Sequence, residues 1–150
     1  MLYVLEGCDG SGKTTTALWL SKLLDAEIIH CNTTTPNNES FFKNIIRMSD
    51  KKNIIADRWC YGQFVYQEEE NRPLQCSWQS ALNALYSVEK EMLEFGSKVI
   101  YVQASAETIK KRLAERNEIL INGLSVEEVI ARFDNIRKKS MLTWLDSWTD

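Results

Sequence analysis

GCDGSGKT, residues 7–14, follows the apolar run LYVLE and precedes TTALWLSKLL. Gly7, Gly12, Lys13 and Thr14 occupy the four fixed places of G-x-x-x-x-G-K-[ST]. The run before the loop reads as a buried strand of a parallel sheet, and behind it Ala17, Leu18, Leu20 and Leu24 recur at helical spacing. Strand, glycine loop and helix in that order make an anion cradle. Gly7, Gly10 and Gly12 let the backbone between Cys8 and Ser11 curl its N–H groups toward one anion, and the helix opening near Lys13 and Thr15 adds its positive end. Lys13 suits β- and γ-phosphates, and the Thr14 hydroxyl suits a magnesium shell. A glycine turn made only for close packing would explain the glycines but not Lys13 and Thr14 at their paired offsets. The predicted ligand is a nucleoside triphosphate with Mg2+.

Outward from the loop, AEIIHC (26–31), NIIAD (53–57) and KVIYVQA (98–104) read as further strands. Helices are predicted over 14–24, 39–48, 77–95, 106–116 and 126–145, the last opened by a Ser125/Glu128 capping box. The alternation predicts an α/β P-loop NTPase fold: a small parallel sheet of four visible strands flanked by helices on both faces. Residues 1–150 form one domain with a lid around 112–125, and no fifth strand is expected.

Composition narrows the partners. A net charge of −3 offers no broad field for a polynucleotide, whereas a local basic pocket still suits a nucleotide. No stretch approaches 18 consecutive apolar residues, and no basic run precedes the apolar start, so neither membrane span nor secretion signal is expected and the location is read as cytoplasmic. Cys8, Cys31, Cys60 and Cys76 form no C-x-x-C pair, and His30 is the single histidine, a pattern of neither zinc site nor disulfide framework. The long 77–95 helix is one face a homodimer could use.

The acceptor side is read from strand ends, where α/β ligand sites gather. Asp57 suits magnesium or its waters, and Arg58 a forked contact with a phosphate monoester; a salt-bridged strand end is the competing role. Trp59 reads as structural. Asp9 repels phosphate, so it suits a sugar hydroxyl or a proton-bearing acceptor, or else a solvated turn. Phe64 and Tyr66 suit either a flat base or the core, while Gln67 and Arg72 are polar acceptor-site candidates. Arg112 and Arg116 share a helical face that either swings over the transferring phosphoryl group or is merely solvated. Arg132 and Arg137 read as surface, and His30 as a polar strand end.

Taken together, LEGCDGSGKTT (5–15), IIADRW (54–59), FVYQ (64–67) and VIYVQASAETIKKRLAER (99–116) resemble the thymidylate kinase family, especially its short virus-encoded members, for which the compartment would be the host cytoplasm. The resemblance implies transfer of the ATP γ-phosphoryl group to dTMP, a deoxynucleoside monophosphate, giving dTDP and ADP. On this chain it assigns Gly7 to Thr14 to the donor phosphates, Asp9 to the acceptor 3'-hydroxyl and Arg58 to the acceptor phosphate. It assigns Phe41 or Phe42 to the acceptor base, and Arg112 and Arg116 to the lid. Some members carry an arginine where Gly10 stands, and others supply that charge from the lid; this chain resembles the second kind. HCNTTTPNN (30–38) replaces the family's REPGG-like stretch. Competing readings are a deoxynucleoside kinase using Glu6 or Asp57 as base, and a nucleotide-binding protein without transfer.

Overall fold

β1 (Leu2–Glu6) alternates Leu2 and Val4 to one face with Tyr3 and Leu5 to the other, and both faces bury apolar side chains, the mark of a central parallel strand. The computed structural model describes residues 1–31, 39–66, 78–120 and 123–150. In them β1 is followed by α1 (Lys13–Leu24), β2 (Glu27–His30), α2 (Glu39–Met48), β3 (Ile54–Asp57), α3 (Gly62–Tyr66) and α4 (Trp78–Glu94). β4 (Lys98–Gln103), α5 (Ala106–Glu115), α6 (Val126–Lys139) and β5 (Trp144–Trp148) complete the chain. The sheet is all parallel in the order β2-β3-β1-β4-β5.

Helices cover both faces unequally. On one, Phe42 and Ile46 of α2, Leu85, Val88 and Met92 of α4, and Val129, Phe133 and Ile136 of α6 pack on Leu2, Val4, Ile54 and Val99. On the other, Ala17 and Leu20 of α1 pack on Leu5, Ile55 and Val102. The apolar stripe of α4, which sequence offered to a homodimer, therefore lies largely inside the chain. Among the described residues no helix is long and apolar enough to cross a membrane.

Two expectations are corrected. The last helix stops at Lys139 instead of running to residue 145, and Trp144–Trp148 forms a fifth strand paired with β4, from Val99↔Trp144 to Gln103↔Trp148. The stop comes from a buried carboxylate: Glu89, fully buried on α4, accepts from Met141 N at 3.0 Å, from Ser140 Oγ, and from Tyr61 Oη at 2.6 Å. Those bonds turn the chain at Ser140, whose backbone is already extended (φ −65, ψ 142). α3 is a short helix in a stretch to which the sequence pattern assigned no element. It buries Phe64 and Tyr66 in the core, which settles their competing roles. Ser125 caps α6 as expected, accepting from Glu128 N at 3.1 Å.

Candidate functional site

The carboxyl ends of the strands open onto a cleft of about 770 Å³ bordered by the glycine loop. Gly7 is obligatory where it stands, because a Cβ there would lie 2.2 Å from the Val102 carbonyl oxygen of β4. Ser11 N donates to Cys8 O at 3.0 Å and closes the loop, and Gly12, left-handed at φ 103, leads into α1. Gly10, Gly12, Lys13, Thr14 and Thr15 line the cleft. Cys8 and Ser11 are buried beside it, at 2% and 1% exposure, and neither lines it.

Lys13 Nζ folds back onto Gly7 O at 2.5 Å and lies 3.7 Å from Asp9 Oδ1. Burial pushes the Lys13 pKa below its ordinary value, and Asp9 opposes that shift. Arg58 holds a left-handed backbone (φ 73), sparsely populated for a side chain of its size, and its Nη2 donates to the same Oδ1 of Asp9. Burial works most strongly against the guanidinium charge, but Asp9, with Tyr66, Glu6 and Asp57 adding to it, prevails and the Arg58 pKa is raised. One carboxylate thus bridges the cation of the glycine loop and the cation that follows the third strand. Asp9 is no solvated turn residue, and Arg58 is drawn to within reach of the space that Lys13 serves.

Asp57 Oδ2 accepts from Thr14 Oγ1 at 3.3 Å and lies 3.1 Å from His30 Nδ1. His30 and Cys31, both at the end of β2, line the same cleft. His30 is a residue that sequence set aside; the strand-end rule applied to Asp57 would have found it. Burial pushes the Cys31 thiol up to about 12, so it offers no thiolate. Among the described residues no group of three or more His, Cys, Asp or Glu side chains is placed to hold a metal by itself. Thr14 and Asp57 fit magnesium all the same: they present two adjoining hard oxygens beside the phosphate cradle, and this ion takes few protein ligands and completes its shell from phosphate and water.

Beneath the loop, Glu6 is 1% exposed and its Oε2 has no hydrogen-bond partner among the described residues. Burial raises its pKa to about 8, against the pull of Lys13, so it is mostly neutral at pH 7. Glu6 does not line the cleft.

The lid arginines divide. Arg116 is half exposed, lines the cleft, and has Glu118 Oε2 3.6 Å from its Nη2. Arg112 also lines the cleft, but its guanidinium grips the loop itself, Nη1 donating to Gly10 O at 3.1 Å. Of the expected lid, residues 121–122 lie outside the described residues. The aromatic acceptor contact is corrected. Phe42 is 2% exposed and stacks edge-on to Trp59 with ring centroids 4.6 Å apart, while Phe41 packs against the core beside it, 5.2 Å from the Phe42 ring. Neither ring lines the cleft, because α2 turns its apolar stripe to the sheet. Gln67 and Arg72 lie outside the described residues. Arg132 and Arg137 are engaged away from the cleft, with Val65 O at 2.8 Å and Asp146 Oδ1 at 2.7 Å. Thr149, Glu115 and Glu118 also line it, and sequence named none of them.

No family model matches the chain. It is 26% identical over 144 residues to the SPbeta prophage-derived uncharacterized protein YorR of Bacillus subtilis (strain 168), across 94% of this chain and 84% of YorR. The crystal structure of YorR in complex with phosphorylated GDP aligns with a TM-score of 0.74 over 98% of this chain and 85% of that one. Deoxyadenosine kinase from M. mycoides with products dCMP and dCDP aligns at 0.59 and 20% identity, covering 98% and 89% of the two chains. Polyphosphate kinase 2 from Arthrobacter aurescens TC1 aligns at 0.69 and 14% identity, covering 97% and 59%. The chain therefore has the α/β fold of the P-loop kinases, a five-stranded all-parallel sheet with helices on both faces.

Proposed function

We propose that this protein is a nucleotide kinase that transfers the γ-phosphoryl group of ATP to the 5'-phosphate of a deoxynucleoside monophosphate, with dTMP the first acceptor to test. The observation that carries the reading is the bridge Lys13–Asp9–Arg58. It gathers the lysine of the glycine loop and a guanidinium on one carboxylate oxygen, in the cleft that Thr14 and Asp57 share. Two phosphorylated substrates would meet there, with Lys13 on the donor and Arg58 on the acceptor. Bound magnesium would supply charge neutralisation on the donor phosphates, and Thr14 and Asp57 are the residues that would hold it or its waters.

A monophosphate acceptor attacks through an oxygen that is already charged, so placement matters more than a base. The carboxylates support that choice over a 5'-hydroxyl acceptor. Asp9 is paired with Lys13 and Arg58, Asp57 is engaged by Thr14 and His30, and Glu6 is buried and mostly neutral at pH 7. The half-exposed Arg116 lines the same cleft and would close over the transferring group.

The decisive experiment is steady-state turnover with magnesium and ATP on dTMP, dGMP, GMP, dAMP and dCMP, run beside thymidine, deoxyguanosine and deoxyadenosine. The guanine nucleotides belong in the panel because YorR was crystallised with phosphorylated GDP. Phosphorylation of a monophosphate and of no nucleoside is expected. Turnover of nucleosides alone would replace the reading with a nucleoside kinase, and tight ATP binding without any product would replace it with a non-catalytic nucleotide-binding role.

A further inference from the structure

β5 closes the sheet edge and then runs under the phosphate loop. Just beyond it, Thr149 Oγ1 donates to Ser11 O at 2.6 Å, with Gln103 O 3.3 Å away, and accepts from Arg112 Nη1 at 3.0 Å. Arg112 Nη1 also donates to Gly10 O at 3.1 Å, and its Nη2 to Thr149 O at 3.2 Å. Two consecutive loop carbonyls are therefore held by one threonine and one arginine, the first from just past the last strand and the second from α5. The holder is itself anchored: Thr149 N donates to Gln103 O at 2.9 Å, and Asp150 Oδ2 accepts from Ser105 N and Thr108 Oγ1, each at 2.9 Å. Packing agrees with the bonding, since a Cβ on Gly12 would lie 3.1 Å from Thr149 Cγ2.

A trans peptide is planar, with its N–H directed opposite to its carbonyl. Fixing Ser11 O toward Thr149 therefore leaves the Gly12 N–H directed away from β5, and fixing Gly10 O sets the Ser11 N–H, which closes the loop on Cys8 O. An anion cradle works only if its N–H groups already point at the anion. We propose that Thr149 and Arg112 are positioning residues that preset the peptide orientations of the phosphate loop for the donor's triphosphate. The binding half of this proposal rests on the kinase reading above; the conformational half does not.

The test compares Thr149→Val, which keeps the shape and removes the hydroxyl, with Thr149→Ser, which keeps the hydroxyl. Arg112→Gln serves as a second route to the same loop. Without ligand, amide hydrogen exchange read residue by residue is expected to speed up at residues 10–12 in T149V and R112Q, to stay near wild type in T149S, and to stay unchanged in β1 and β3. Calorimetry with magnesium and either ATP or inorganic tripolyphosphate is expected to show both weakened by a similar factor, about tenfold, in T149V and restored in T149S. Weakening confined to ATP would mean that Thr149 touches the nucleoside part, and would overturn the proposal. Unchanged exchange at 10–12 in both T149V and R112Q would overturn it whatever the binding results. If wild-type protein bound neither compound, the kinase reading would fall while the exchange data still decided the clasp.

Discussion

Glu6 gives the sharpest quantitative test of how the site is built. Its carboxyl is sealed under the phosphate loop, and its pKa stands at about 8 against an ordinary 4.5. A raised native pKa means that the folded protein keeps a proton which the unfolded chain gives up. Stability from this residue is thus full below pH 4.5, falls as pH rises toward 8, and levels off above it. Between those two values the loss is about 5 kcal/mol at about 1.4 kcal/mol per pH unit. Glu6→Gln has the same shape and no charge to desolvate, so its stability lacks this descent. Urea denaturation of both proteins at pH 5, 6.5 and 8, followed by tryptophan fluorescence and circular dichroism, isolates the effect, because every other titrating group is shared. The stability of E6Q relative to wild type is expected to grow by about 4 kcal/mol from pH 5 to pH 8. Parallel stability curves over that range would refute the reasoning and mean that Glu6 ionises in the folded protein like an exposed carboxylate.

Other expectations follow from single contacts. Arg58→Ala should raise the acceptor KM by about 10- to 100-fold with little change in donor KM, since it removes a charged, forked contact; steady-state kinetics varying each substrate in turn checks it, and an unchanged acceptor KM would remove Arg58 from the acceptor site. Lys13→Ala should lower kcat by about 10²- to 10³-fold in the same assay. Gly7→Ala places a methyl 2.2 Å from the Val102 carbonyl oxygen, and denaturant titration should show a loss above about 4 kcal/mol or no folded protein at all. Glu89→Ala removes the buried acceptor of the Tyr61 and Ser140 hydroxyls and of the Met141 N–H, and should cost about 3 kcal/mol or more by the same titration. Phe42→Leu should cost about 1 kcal/mol and leave the acceptor KM alone; a rise in that KM would return the ring to the acceptor base.

Much of this molecule is written in short-range pattern. LYVLE followed by GCDGSGKT fixes a central strand, an anion loop and a helix because the determinants are neighbours in the chain: alternating burial, glycines at set offsets, a lysine at the helix start. The strand-end position of Asp57 and Arg58 was legible for the same reason. What escaped was whatever depends on a distant partner. The start of WLDSW reads as the end of a helix until the open edge of β4 pairs with the segment and Glu89, some fifty residues earlier in the chain, stops the helix by catching Ser140 and Met141. Without that strand Thr149 has no reason to be near the loop, and Arg112 reads as a free lid cation when it is a brace on Gly10 and Thr149. Phe41 and Phe42 show the same limit, since only the direction of α2 against the sheet decides that both rings pack on the core. The sequence by itself determined the sheet's first strands and the phosphate loop, through contacts local in the chain. Tertiary structure alone decided which charges meet: Asp9 between Lys13 and Arg58, His30 on Asp57, and Glu6 shut away from water, because pairing and desolvation are set by burial and by neighbours far apart in sequence.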